Sequence, residues 1–380
     1  MNWAVADQMA RLVAGAGEGD GEATVAADGR LEAILRVAEL ELTAAGALDP
    51  AALGGPLGAV PVSREEWAAR TLAGQRPLLS VLAAALALPG RAADVESADE
   101  ELVDDELVSG ARAGTDDPRG PLLAASTRGL VFGWMFGQLA RRALGQYHLP
   151  LPPTHGNDLL LVPANLGEFA MEWRLAADDV CLWTCLREAA THSVLARPHV
   201  RSRLESLLVA YASAFEVDPT AFEAELEALD PSDPSSFQSV LGDPDAVLAT
   251  VQTPTQERLV GQIDALTAAV AGWVDHLVAP LSQRLIGSAD AIGEAARRRR
   301  VEVSWGERYA ARLIGLGLRA SSYERGTSFV AGVVERGGEE ALARLWSSEA
   351  TLPTPAELDA PGLWLARVEL DDAGGVEPGV

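Results

Sequence analysis

The chain has 380 residues, 48% of them hydrophobic, and a formal net charge of −25. That length and apolar content suffice for a large buried core, while the acidic balance provides no general field for attracting nucleic acid or anionic lipid. All 30 basic residues are arginine, which excludes Schiff-base lysines, phosphate-loop lysines and lysine general bases.

Two cysteines are too few for a disulfide framework. The opening MNWAVADQMARLVAG lacks a basic segment followed by an apolar one, and the apolar run at 77–89 is too short for the ~20 residues a bilayer span needs. We therefore expect a cytoplasmic protein with neither nucleic acid nor membrane as partner.

In chain order, residues 1–60 read as peripheral helices, with helical apolar spacing at 31–42. Ser63 precedes Glu65 and Glu66 as an N-cap would, and the spacing predicts one helix from Arg64 to about Leu88. Residues 94–117 carry ten acidic side chains and read as a solvated loop. Gly129, Gly133 and Gly137 then recur every four residues among large apolar side chains. This spacing predicts a core helix with one stripe open to close approach by another backbone.

Pro150, Pro152 and Pro153 bar that helix from resuming after Leu144-Gly145-Gln146-Tyr147. DLLLVP at 158–163 reads as a short buried strand. Pro198 should start a helix, residues 218–245 alternate short helices with turns, and residues 257–286 form a long apolar-periodic helix. The arginine run 297–300 reads as a helix end facing water or internal carboxylates. We expect a single mainly α domain with a small β element over 61–368, and a tail at 369–380.

The most informative stretch is 181–208, CLWTCLREAATHSVLARPHVRSRLESLL. In an HExxH helix two histidines four residues apart bind zinc on one face, and the glutamate between them activates a metal-bound water. Here that register reads Arg187-Glu188-Ala189-Ala190-Thr191, with His192 one position late, a rotation of about 100°. Arginine has no lone pair for a metal, so Arg187 should neutralise carboxylates such as Glu188 or Asp275. Threonine is a poor zinc ligand beside imidazole or thiolate.

A rebuilt site is the alternative, since Cys181, Cys185, Glu188 and His192 share one helical stripe. They spread over about 16 Å of helix axis, too far to meet at one ion. At most an adjacent pair such as Glu188 and His192 would join Asp275 or His276 from another helix. His148, His155 and His199 read as surface or hydrogen-bonding residues.

Taken together, Leu144-Gly145-Gln146-Tyr147, the strand before Asn165, the motif helix, the Asp275 helix, Tyr323-Glu324-Arg325-Gly326, and Trp346 followed by Leu352-Pro353-Thr354 resemble a family. It is the zincin-like hydrolases associated with biosynthesis of a deazaflavin redox coenzyme in high-GC bacteria. The resemblance implies a zincin-like metallopeptidase scaffold, zinc as cofactor, and a strand edge that holds extended substrate before the motif helix.

It places the family's first histidine on Arg187, its glutamate on Glu188 and its second histidine on Thr191. On the later helix the family's Glu-Gly-His falls on Ala271, Gly272 and Trp273, with Asp275 kept. The expected function is a zincin-like protein with a degenerate zinc motif, catalytically inactive, that binds a protein, peptide or small ligand in the old cleft. The alternative is an active zinc metallohydrolase with Glu188 as general base and a relocated ligand set including His192, with His276 as a further candidate.

Overall fold

The computed structural model describes residues 1–15, 23–86, 119–215 and 253–374. The acidic segment 94–117 and the turn-rich segment 218–245 lie outside the described residues. The described chain runs α1 (Trp3–Ala14), α2 (Ala23–Ala44), β1 (Gly58–Pro61), α3 (Arg64–Gly74), α4 (Arg76–Ala85), α5 (Arg119–Ala140), β2 (Asp158–Leu161), α6 (Pro163–Trp173), α7 (Ala177–Leu195) and α8 (Pro198–Ser213). It continues with α9 (Pro254–Leu285), α10 (Ala289–Val301), α11 (Trp305–Leu313), α12 (Ala320–Ala343), α13 (Pro355–Asp359) and α14 (Pro361–Gly374). This is a mainly α fold with one two-stranded parallel sheet, in which Gly58 to Pro61 pair in register with Asp158 to Leu161.

Helix ends follow local chemistry. The Ser63 hydroxyl accepts the Glu66 amide at 3.1 Å, as its position predicts. Pro198 opens α8, and a Thr253/Gln256 capping box opens α9. The single helix expected from Arg64 to about Leu88 is instead two, α3 and α4, meeting at Gln75. Gly74 weakens helical continuity, and Pro77 has no N–H to donate to the carbonyl four residues back, which its ring also crowds, so it suits the first turn of a new helix rather than the interior of one.

The glycine stripe of α5 seats α1. A Cβ on Gly133 would lie 2.3 Å from the Ala6 carbonyl oxygen, and one on Gly137 would lie 2.8 Å from that of Ala10. Ala6, Ala10 and Ala14 are buried on the facing side, so both backbones approach because neither side presents bulk. A similar crossing joins α9 to α12, where a Cβ on Gly326 would fall 1.9 Å from the Ala268 carbonyl oxygen.

The core is continuous from α1 to α14 and includes Trp67, Phe136, Tyr211, Trp346 and Trp364. By length and composition α9 could cross a membrane, but 72% of its most apolar window is buried against its neighbours, as in the core helix of a globular protein.

The turn after α5 is pinned from several sides. The Asn165 amide group donates to the carbonyls of Ala140 (2.8 Å) and Ala143 (2.6 Å), closing the helix end. Arg64 Nε donates to the Asn165 side-chain oxygen at 2.6 Å, and the Trp67 indole donates to the Gly145 carbonyl at 3.0 Å. Residues 144–148 are thereby presented against α7.

Candidate functional site

Helix α7 begins with Asp178 and Asp179, which favour its N-terminus electrostatically. Asp179 accepts from the Ser288 hydroxyl at 2.6 Å, tying α7 to the start of α10. Its interior face buries Cys185, Glu188, Ala189 and His192, while Arg187 and Thr191 are half-buried. A cavity of about 1020 Å³ opens on this side, lined by Trp183, Thr184, Arg187, Glu188 and Thr191 from α7. The turn at 142–150, α9, α10, α11 and the segment leading to Tyr323 of α12 complete its walls.

Glu188 faces the turn closely. Its carboxylate accepts the Tyr147 amide at 2.8 Å, and a Cβ on Gly145 would lie 2.4 Å from its carboxyl carbon, so a side chain there would push the carboxylate from its place. Burial raises the Glu188 carboxyl to about 7 against the lowering effects of the Tyr147 amide and Arg187.

His192 is fully buried, and its Nδ1 lies 2.7 Å from the Tyr147 hydroxyl. Burial lowers the imidazole to about 4, while burial and Glu188 hold the Tyr147 phenol well above its usual range. A neutral phenol and a neutral imidazole therefore share this hydrogen bond, and His192 Nε2 is buried without a hydrogen-bond partner among the described residues. Tyr147 thus holds Glu188 through its amide and His192 through its hydroxyl.

Arg187 turns away from Glu188 and pairs with Asp275 of α9. Arg300 of α10 reaches the same carboxylate at 3.0 and 3.2 Å. Burial opposes ionisation of Asp275, but Arg187 and Arg300 outweigh it and hold the carboxyl at about 2. Arg187 also lies over the Trp183 ring and Arg300 over the Tyr323 ring, at 5.0 and 3.7 Å to the ring centroids. Arg187 and Arg300 line the first cavity and also a second one containing Asp275 and His276. The ion-pair layer therefore stands between the two spaces.

Thr191 donates its hydroxyl to the Arg187 carbonyl at 2.8 Å. His276 Nε2 sits 3.0 Å from Glu339 on the second cavity, apart from Glu188 and His192. Cys181 and Cys185 are free thiols pushed upward chiefly by burial, Cys181 to about 11, as expected for inert core cysteines.

The strand before the motif helix is engaged on both sides. β1 pairs along one edge of β2, Gly145 bridges Leu161 on the other, and the Val162 amide donates to the Leu144 carbonyl at 3.0 Å. The edge anticipated for extended substrate is thus covered by the chain's own turn at Leu161 and Val162.

Sequence reasoning missed the joint role of Tyr147 and the arginines of the far wall. The run 297–300 was visible, but it divides: Arg297 and Arg298 pair with Glu294, while Arg299 and Arg300 line the cavity.

A helix crossing the floor of a cleft, with a glutamate one step inside it and a short strand before it, defines a zincin-like scaffold. The chain belongs to the zincin-like metallopeptidase family, whose model matches residues 1–365. It is similar in fold to a crystal structure from Chloroflexus aurantiacus described as a "putative hydrolase with a novel fold". That match has a TM-score of 0.58 and 21% identity, and covers 97% of this chain and 99% of the other. No curated protein matches the sequence.

The family implies zinc, and Arg187 and Thr191, the side chains that the expected motif register would offer it, do not fit it. Arg187 is a cation already paired with Asp275, and the Thr191 hydroxyl is bonded to its own helix. Among the described residues no group of three or more His, Cys, Asp or Glu side chains converges as a metal site.

Proposed function

We propose that this member of the zincin-like metallopeptidase family has exchanged zinc hydrolysis for ligand binding in the cavity above α7. The observation that carries the reading is Arg187. Its guanidinium, which on the register implied by the resemblance stands in for the family's first histidine, pairs with Asp275 and offers no lone pair to a metal. Glu188, the retained glutamate, is held against the Gly145–Tyr147 turn, so its place in the scaffold has a structural explanation. The covered edge of β2 further disfavours a peptidase mode, which needs a free edge to hold extended substrate.

An active metallohydrolase is the second reading. It is favoured by a Glu188 carboxyl raised to about 7, the range of a general base, and by the unpartnered Nε2 of His192. We place the protein in the cytoplasm, without nucleic-acid or membrane partners, and carry over as a proposal the link to deazaflavin coenzyme biosynthesis that the sequence resemblance implies.

Metal analysis of full-length protein purified without chelator separates the readings. The binding reading expects zinc far below one equivalent, unchanged in His192→Ala. Near-stoichiometric zinc that disappears in His192→Ala would sink it.

A further inference from the structure

The cavity wall is unusual for so acidic a chain. Seven arginines line it against two glutamates, in a protein whose formal charge is −25. Two of them, Arg187 and Arg300, share the single carboxylate of Asp275. Arg308 and Arg319 are exposed at the rim and make no ion pair among the described residues.

Arg142 and Arg299 form the most distinctive pair. The Arg142 guanidinium donates to the Arg299 carbonyl at 3.1 Å, and the Arg299 guanidinium donates to the Arg142 carbonyl in return. Among the described residues neither pairs with a carboxylate. Glu307, 3.5 Å from His148, acts on both arginines from a distance, with Glu172 and Glu168 adding to its effect on Arg299, yet burial outweighs them and holds Arg299 below the usual guanidinium range. Two half-buried guanidiniums fixed side by side, with donors left over at a cavity wall, cost desolvation and repulsion that an anion would relieve. Planar guanidinium forks suit phosphate and carboxylate oxygens. The remaining wall supplies apolar surface from Leu144, Phe169, Val270, Val274 and Leu318, and the volume suits a small organic molecule rather than a polymer.

We propose that the cavity binds a small organic anion, with a phosphate or carboxylate head held by Arg142 and Arg299 and an apolar body lying against Phe169 and the α9 face. This deepens the ligand-binding reading and rests on it for treating the cavity as a receptor. Helix α10 performs both tasks with consecutive residues: Arg299 reaches Arg142, while Arg300, about 100° further round, closes the Asp275 layer.

Calorimetric titration of the full-length chain at low salt tests the proposal, with phenyl phosphate, benzoate and the neutral benzyl alcohol as probes. Phenyl phosphate, benzoate or both are expected to bind more tightly than benzyl alcohol, the preferred anion identifying the head group. Arg142→Gln and Arg299→Gln, each checked for folding by circular dichroism, are expected to weaken that binding about tenfold or more. Failure of both anions to bind at millimolar concentration, equal binding of the alcohol, or undiminished affinity in the folded variants would overturn it. If neither variant folds, the wild-type comparison of anions with alcohol decides. Zinc content is measured separately: a zinc-loaded chain that takes the anion through these arginines sinks only the earlier reading, and a zinc-free chain that takes neither anion sinks only this one.

Discussion

Glu188 and His192 sit one helical turn apart, share Tyr147 as a neighbour, and are driven by burial in opposite senses. Glu188 takes up its proton near 7 in the fold and near 4.5 when unperturbed. Between those values the folded state binds more protons than the unfolded chain, so this residue's contribution to stability falls as pH rises. His192 is lowered from 6.5 to about 4, so its contribution rises with pH between those values. The two slopes overlap and partly cancel in the wild type. Glu188→Gln removes one of them while keeping an acceptor for the Tyr147 amide. Denaturant titrations of both proteins should show the variant gaining about 2–3 kcal/mol relative to wild type between pH 4.5 and pH 8. A difference that stays flat with pH would mean that Glu188 titrates as an exposed carboxyl.

At the scale of elements, the crossing of α9 and α12 is set by backbone contact, so side-chain adjustment cannot relieve an added methyl group. Gly326→Ala would place a Cβ 1.9 Å from a carbonyl oxygen, and overpacking of this kind should cost about 2 kcal/mol or more despite alanine's better helix propensity. Gly293→Ala is the matched control: it lies inside α10, its Cβ would come no closer than 3.6 Å to Arg297, and it should gain about 0.5–1 kcal/mol. Thermal melts that show equal effects at the two sites would contradict the close crossing. The same elements show what the sequence could disclose. Four-residue glycine spacing in α5, Pro198 at the head of α8 and the apolar period of α9 each carry their meaning locally, and the charge of Arg187 demanded a carboxylate wherever it was placed. β1 was not legible, because Gly58-Ala59-Val60-Pro61 is a poor strand by composition and extends only because β2 lies beside it. The cavity was hidden for a related reason: Arg142, Arg187, Arg299 and Arg319 come from separate parts of the chain and acquire a common meaning only after packing.

Over the whole molecule, a formal charge of −25 is set against a cavity wall lined by arginines. Salt should act on these two features with opposite sign. Screening over a Debye length of about 10 Å at 0.1 M relieves the long-range repulsion that a net charge of this size brings, so the melting temperature should rise by a few degrees between about 20 mM and 0.3 M sodium chloride. Over the same range the affinity for phenyl phosphate or benzoate should fall several-fold, because chloride competes for the arginines and screens their field. Paired melts and titrations across the salt series measure both trends on one preparation. A melting temperature that falls with salt would instead assign the dominant electrostatic contribution to short-range pairs, such as Arg325 bridging Asp264 and Asp359. Those pairs weaken on screening but are individually worth little where exposed. A net charge as large as −25 weighs against that outcome, since pairwise contacts neutralise only part of the acidic excess and the rest can only repel.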